Sequence, residues 1–241
     1  FANELSLLSE LRHENIILLR GFVESGEGRI AWIILPWEAN GNLREFVQSQ
    51  DWAIPERLSL IYDVACGIDY LHSRDPPICH ADLKSLNILV NSQNHAVITD
   101  FGSARKIEAS QPLFQLKETG TFITLTGPVY TLRWAAPEIL NDQKFGRASD
   151  IWAFGWICWE VMTGNIPFDD LRGDVAVILR VTQGNLPIVA SNEHISQVRA
   201  LCGVMTRCWA MDPAERPAAR ECMRSMSWMV RSFKATSFSL A

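Results

Sequence analysis

The sequence is poor in features that would mark a membrane span, a metal knuckle or a nucleic-acid surface. Its longest apolar stretch, IWAFGWICW from Ile151 to Trp159, ends at Glu160, well short of the ~20 residues needed to cross a bilayer. That stretch reads as a helix buried on most sides. The six cysteines, at 66, 79, 158, 202, 208 and 222, form no CxxC pair, which argues against a bound metal knuckle. Several stand among apolar neighbours, the pattern of reduced, buried thiols in a cytoplasmic protein. A formal charge of −5 comes with no basic stripe and speaks against non-specific nucleic-acid binding. There is no internal repeat and no low-complexity segment. What remains is a chain of 241 residues, 48% hydrophobic and 20% charged, long enough for one large domain or two unequal lobes. It opens on Phe1 rather than Met, inside an apparent helix with Leu5, Leu8 and Leu11 on one stripe. A chain that opens within an element reads as a fragment, so the lack of a signal peptide says nothing of targeting.

Two apolar runs, NIILLRGFV and RIAWIILPW, flank the polar, glycine-bearing ESGEGR, the pattern of a hairpin. NGNLREFV then opens a short helix, with Asn40-Gly41 turning the chain. From Pro55 to Ser73 apolar residues recur at Leu58, Ile61, Ala65 and Ile68, which predicts an amphipathic helix. Short strands are expected at Ile88–Val90 and Ala96–Thr99, around NSQNH. From Phe101 to Pro137 no period is sustained, and a connection of that length is usually functional or disordered. Beyond Glu138 the pattern is helical, broken at Gly164-Asn165, Asn185-Leu186-Pro187 and Asp212-Pro213, and the final KATSFSLA reads as a loose tail. A small strand-bearing part therefore precedes a larger helical one, with polar interruptions where they meet, a place that ligands favour.

The sharpest interruption is ICHADLKSLNILV, Ile78 to Val90. A core strand has no use for Asp82, Lys84 or Asn87, since each polar group is unfavourable when buried without a partner. Together with ITDFGSA, however, Asp82, Asn87 and Asp100 supply two carboxylates and an amide oxygen, the hard ligands that Mg²⁺ prefers. Lys84 adds a cation suited to the charge that develops on a transferring phosphoryl group. The offsets D-x-K-x-x-N, followed by a hairpin and D-F-G, match the protein-kinase signature.

On these residues the sequence resembles the C-terminal three-quarters of a eukaryotic protein kinase domain. HADLKSLN resembles the catalytic loop, DFG (Asp100–Gly102) and APE (Ala136–Glu138) the two ends of the activation segment, and DIWAFG (Asp150–Gly155) the buried helix that anchors the loop. MDPAERP holds the late Arg216, and FANELSLLSELRHENII resembles the regulatory helix and the turn after it. The resemblance implies an α+β, protein-kinase-like bilobal fold. Its N-lobe is incomplete, with a few strands and one helix, and its C-lobe is mainly helical. Residues 1–38 would be the N-lobe remnant and hinge, 39–233 the C-lobe and 234–241 a tail.

It further implies ATP and Mg²⁺ as cofactors and a protein substrate. Asp82 would accept or orient the substrate hydroxyl proton, Lys84 would steady the γ-phosphate, and Asn87 and Asp100 would hold the metal. Leu35 would be the gatekeeper, Pro36 and Glu38 would read adenine through their backbone, and Leu89 would pack under the ring. Glu4 is the acid that in the family pairs with a strand lysine at the phosphates. Leu8, His80 and Phe101 would stack as a spine, with His80 in packing rather than acid–base work. Glu138 and Arg216 are expected to form a buried ion pair, and Trp152, Trp156 and Trp159 to be core. His13, His72, His95 and His194 receive no special role. Lys84 and Thr131 resemble the serine/threonine kinases, and KSxN with RWAAPE resembles the tyrosine-kinase-like branch, which mostly modifies Ser and Thr.

Two departures stand out. Ala81 replaces the arginine that in the family pairs with a phosphorylated activation segment, so Ser103, Ser110, Thr119, Thr121, Thr124, Thr126, Tyr130 and Thr131 would lack their usual phosphate partner. Nothing ahead of Phe1 supplies a glycine-rich loop or a lysine for Glu4, and GEGR, Gly26 to Arg29, is not a displaced phosphate loop. Truncation of a longer kinase is one explanation, and the chain by itself is then expected to be inactive. A pseudokinase acting as a binding or scaffold module is the alternative.

Overall fold

The computed structural model describes residues 1–25, 31–107, 131–141, 145–189 and 192–238. Helix α1 (Ala2–Glu10) turns Leu7 and Leu8 inward. Strands β1 (Gly21–Glu24) and β2 (Ala31–Ile34) pair antiparallel with Gly21 opposite Ile34, as the hairpin pattern predicts. The turn with GEGR lies outside the described residues. Left-handed Gly41, at φ 69°, a conformation in which glycine is the residue without strain, leads into α2 (Leu43–Gln48). Asn42 caps α2 by accepting from Glu45 N at 3.0 Å. Helix α3 (Ile54–His72) starts with proline in its first turn and runs through the centre of the larger lobe.

Strand β3 (Ile78–Cys79) follows, then the hairpin of β4 (Ile88–Val90) and β5 (Ala96–Ile98). The hairpin is sewn to the first lobe by Ile17 N to Ile98 O and Ile98 N to Asn15 O, both 2.9 Å. Asn15 adds a side-chain bond to Ala96 O at 3.0 Å. Strand β6 (Arg105–Lys106) pairs with β3, an element that two adjacent cations give no pattern to foresee.

The rest of the described chain is helical: α4 (Pro137–Leu140), α5 (Arg147–Thr163), α6 (Asp174–Thr182), α7 (Glu193–Ser196), α8 (Arg199–Cys208) and α9 (Ala219–Phe238). Helix α5 is the axis of this lobe. Trp152, Phe154 and Trp156 are fully buried, whereas Trp159, expected in the core, is half-buried at its edge. Gly155 lets α8 come close, because a Cβ there would lie 2.6 Å from Trp209 Nε1. Helix α9 packs along α3 and continues to Phe238, into the stretch 234–241 expected as a tail; residues 239–241 lie outside the described set.

All six cysteines are free, and burial pushes the Cys79 and Cys158 thiols well above their ordinary value. Among the described residues no helix is long and apolar enough to cross a membrane. The architecture is the α+β, helix-dominated arrangement with a small first lobe that the motifs imply.

Candidate active site

The loop between β3 and β4 is held from below by one carboxylate. Asp150, in the first turn of α5, is almost completely buried and accepts from His80 N, Ala81 N and His72 Nε2, each at 2.9 Å. Burial alone would raise its pKa. The bonds from His72 and Ala81 and the nearby His80 outweigh that and leave it below the ordinary carboxylate value. Two consecutive amides can aim at one carboxylate because Ala81 adopts a left-handed backbone, φ 65°, unfavourable for a non-glycine residue by roughly 1–2 kcal/mol. His80 donates from Nε2 to Thr99 O at 2.9 Å and accepts from Asp82 N at 3.3 Å. Both ring nitrogens are thus engaged in holding the loop.

Above this support stand the residues with chemistry. Lys84 Nζ donates to Asp82 Oδ2 at 2.7 Å, and Asn87 Nδ2 donates to the same oxygen and to Asp82 O, both at 2.9 Å. Asp82 Oδ1 is buried and has no hydrogen-bond partner among the described residues. Because the Asn87 amide spends its N–H groups on Asp82, its Oδ1 is left to accept or coordinate. Thr99 N bonds Asn87 O at 2.9 Å, which places Asp100 one residue beyond. Asp100 is exposed, left-handed at φ 62°, and receives Gly102 N on one oxygen at 3.4 Å. Two carboxylates and an amide oxygen suit a Mg²⁺ that keeps several water or phosphate ligands. Among the described residues no group of three or more His, Cys, Asp or Glu is arranged to hold a metal ion.

The expected nucleotide residues fall on one path of the chain. Leu35 follows β2 directly, and Leu89 alternates out from buried Ile88 and Val90; both pack at the rim of the core. Between them run Pro36 and Glu38, and among the described residues Pro36 O and Glu38 N have no hydrogen-bond partner. An open carbonyl followed two residues later by an open amide can read a planar base by its edge. Glu4, on α1, is half-buried and forms no ion pair among the described residues. Leu8, His80 and Phe101 are fully buried, the last two meeting edge to face at 5.0 Å, while α1 packs on the turn that carries Phe101. Asn3 Nδ2 to Ala104 O at 2.9 Å and Lys106 to Glu10 at 2.7 Å reinforce that junction. The activation-segment acceptors from Ser110 to Tyr130 lie outside the described residues.

Three supports carried no sequence signal. Arg133 is buried and donates to Pro167 O at 2.7 Å, to Leu171 O at 3.0 Å and to Phe168 O, pinning the segment ahead of APE to the turn after α5. His72 holds Asp150. Glu160, where the apolar run ends, accepts from Ser85 Oγ at 2.6 Å and from Trp134 Nε1 at 2.7 Å. One buried acid thereby joins α5, the catalytic-loop candidate and the segment before APE.

Burial raises the Glu160 pKa to about 7 in spite of those two bonds. The folded state thus keeps a proton that the unfolded chain, titrating near 4.5, gives up. The stabilisation is complete below pH 4.5 and is lost as pH rises to about 7, a loss of about 3 kcal/mol. Glu160→Gln keeps an acceptor for Trp134 and can donate to Ser85, whose hydroxyl also accepts. Denaturant melts of both forms across this window are expected to converge at low pH, the variant gaining on the parent as pH rises. Parallel curves would show that Glu160 does not titrate there.

A two-lobed fold whose junction carries D-x-K-x-x-N, DFG and an anchoring buried aspartate is the architecture of a protein-kinase domain. The family model described as protein tyrosine and serine/threonine kinase matches residues 1–226, and the chain belongs to that family. The R831 serine/threonine-protein kinase/receptor of Acanthamoeba polyphaga mimivirus is 33% identical over 97% of this chain and 13% of that protein. The serine/threonine-protein kinase CTR1 of Arabidopsis thaliana is 31% identical over 96% of the chain and 27% of its own length. The tyrosine-protein kinase Btk of Drosophila melanogaster is 28% identical over 96% and 28%. The chain thus spans 13% to 28% of the length of these relatives.

Proposed function

We propose that this domain moves the γ-phosphoryl group of ATP to a serine or threonine hydroxyl of a protein substrate. The observation that carries the reading is the state of Asp82. Lys84 and Asn87 hold one of its oxygens, and the other has no partner among the described residues. A hydroxyl placed against Oδ1 would give up its proton there as its oxygen attacks phosphorus and the bridging oxygen departs with the diphosphate. Lys84, bonded to Asp82 Oδ2, would offset charge on the transferring group. Asn87 and Asp100 would hold Mg²⁺, which when bound neutralises the phosphate oxygens. Pro36 O and Glu38 N would orient adenine over Leu89, with Leu35 as gatekeeper and Glu4 facing the phosphate end. Lysine two residues past Asp82, with Thr131 ahead of LRWAAPE, favours the aliphatic hydroxyls over tyrosine.

The test uses the full-length protein with Mg·ATP and three peptides that differ only in Ser, Thr or Tyr at the acceptor. Labelling of Ser and Thr should outpace Tyr by at least about tenfold, a gap of 1.4 kcal/mol in barrier. Faster labelling of Tyr would reverse the acceptor assignment. A folded protein that labels none of the three, and whose melting temperature Mg·ATP does not move, would be a scaffold rather than an enzyme.

A further inference from the structure

Away from this site, a groove of about 780 Å³ runs between α8 and α9. Ala200, Gly203, Val204 and Arg207 line it from α8, at the i, i+3, i+4, i+7 spacing of one helix face. Arg224 and Trp228, one turn apart on α9, form the other wall. Gly203 has open space where a Cβ would stand, which deepens the trough, and Trp228 is 58% exposed. Neither Arg207 nor Arg224 forms an ion pair among the described residues, whereas Arg216 and Arg220 nearby are matched to Glu138 and Asp69. From Arg199 to Arg231 there are six arginines against three acids, in a chain whose net charge is −5. The groove is therefore a cationic, aromatic trough on an anionic protein.

We propose that it docks an acidic amphipathic segment of a partner protein. An apolar side chain of that segment lies against Trp228 and over Gly203, and its carboxylates pair with Arg207 and Arg224. Tryptophan and arginine are the residue types that dominate binding energy at protein interfaces, and a helix-lined trough takes an amphipathic segment by its apolar face. Charge of opposite sign then selects and orients the guest. Two lining cations and one aromatic are too few for a polynucleotide track. Basic lipid-binding patches carry four or more cations, and two line this groove. The inference is independent of phosphotransfer.

The probe is a fluorescein-labelled helical peptide of about 14 residues, long enough for a marginal helix, with Leu and Phe on one face and Glu on the other. One control replaces every Glu with Lys, and another scrambles the order. Anisotropy against the folded chain should saturate for the acidic helix alone. Arg207→Glu with Arg224→Glu, and separately Trp228→Ala, should each weaken binding by about tenfold or more. Melting temperature should stay unchanged, because all three side chains are exposed. Trp228→Phe should recover part of the loss. Absence of saturation up to about 1 mM, equal affinity in the variants, or equal binding of the lysine peptide would overturn the proposal. Phosphatidylserine vesicles bound by the parent and released by Trp228→Ala would overturn it in favour of a lipid surface.

Discussion

Asp82→Asn should lower phosphoryl transfer by the full-length protein about 10²–10⁴-fold, the range that a positioned acid–base group contributes, and leave the fold intact. The change is isosteric. The asparagine carbonyl can still accept from Lys84 and Asn87, which hold Asp82 Oδ2 at 2.7 and 2.9 Å. What it loses is the second oxygen, Oδ1, which has no partner among the described residues and where an amide N–H₂ cannot take up a proton. Melting temperature and nucleotide affinity should therefore match the parent while turnover collapses. Asp100→Asn should behave differently. It weakens a metal ligand, so the melting shift given by Mg·ATP shrinks along with the rate. Parent-like turnover in Asp82→Asn would remove Asp82 from the chemistry.

Arg216→Ala should destabilise the domain by about 3–5 kcal/mol, the range seen when one partner of a buried ion pair is deleted. The Arg216 side chain has 0% exposure, and its fork meets both Glu138 oxygens at 2.7 Å. It also donates to Ala148 O at 3.0 Å and to Ala210 O at 2.9 Å and lies over the Trp152 ring. Truncation strands a buried carboxylate and two carbonyls in one step. Against a typical total stability of about 5–15 kcal/mol, that loss should move the urea midpoint far down or leave the protein insoluble. Arg216→Lys should restore only part of it, since an ammonium cannot reproduce the bidentate fork. An unchanged midpoint would mean that the pair contributes nothing.

Residues close together in sequence were legible, and those joined only by tertiary packing were not. Asp82, Lys84 and Asn87 lie within one loop, so their offsets announce a shared task before any fold is known. Glu138 and Arg216 were paired only through the family resemblance, 78 positions apart. Nothing local ties Glu160 to Ser85 and Trp134, or His72 to Asp150, because such bonds follow from which helix faces meet. The pairing of β6 with β3 is equally non-local. Trp159 looked like core because its neighbours are apolar, but a 3.6-residue period takes it to the rim of α5. Lys234–Phe238 looked like a tail because its polar residues carry no core signal. A helix already anchored along α3 propagates through such residues at little further loss, since nucleation is the unfavourable step. The cationic groove was hidden by averaging, because a net charge of −5 conceals a local excess of six arginines over three acids between Arg199 and Arg231.

The carboxylate of Asp150 has a consequence for how the molecule comes apart. It holds the amides of His80 and Ala81, and through them the loop that carries Asp82, against the most buried helix of the domain. Releasing that loop would strip two of the three donors from a buried charge and leave it to His72 alone, which is strongly unfavourable. Loop and helix therefore belong to one cooperative unit rather than to the early-fraying parts of the molecule. On heating, the loop geometry should persist until the whole lobe gives way, with no folded intermediate that has lost it.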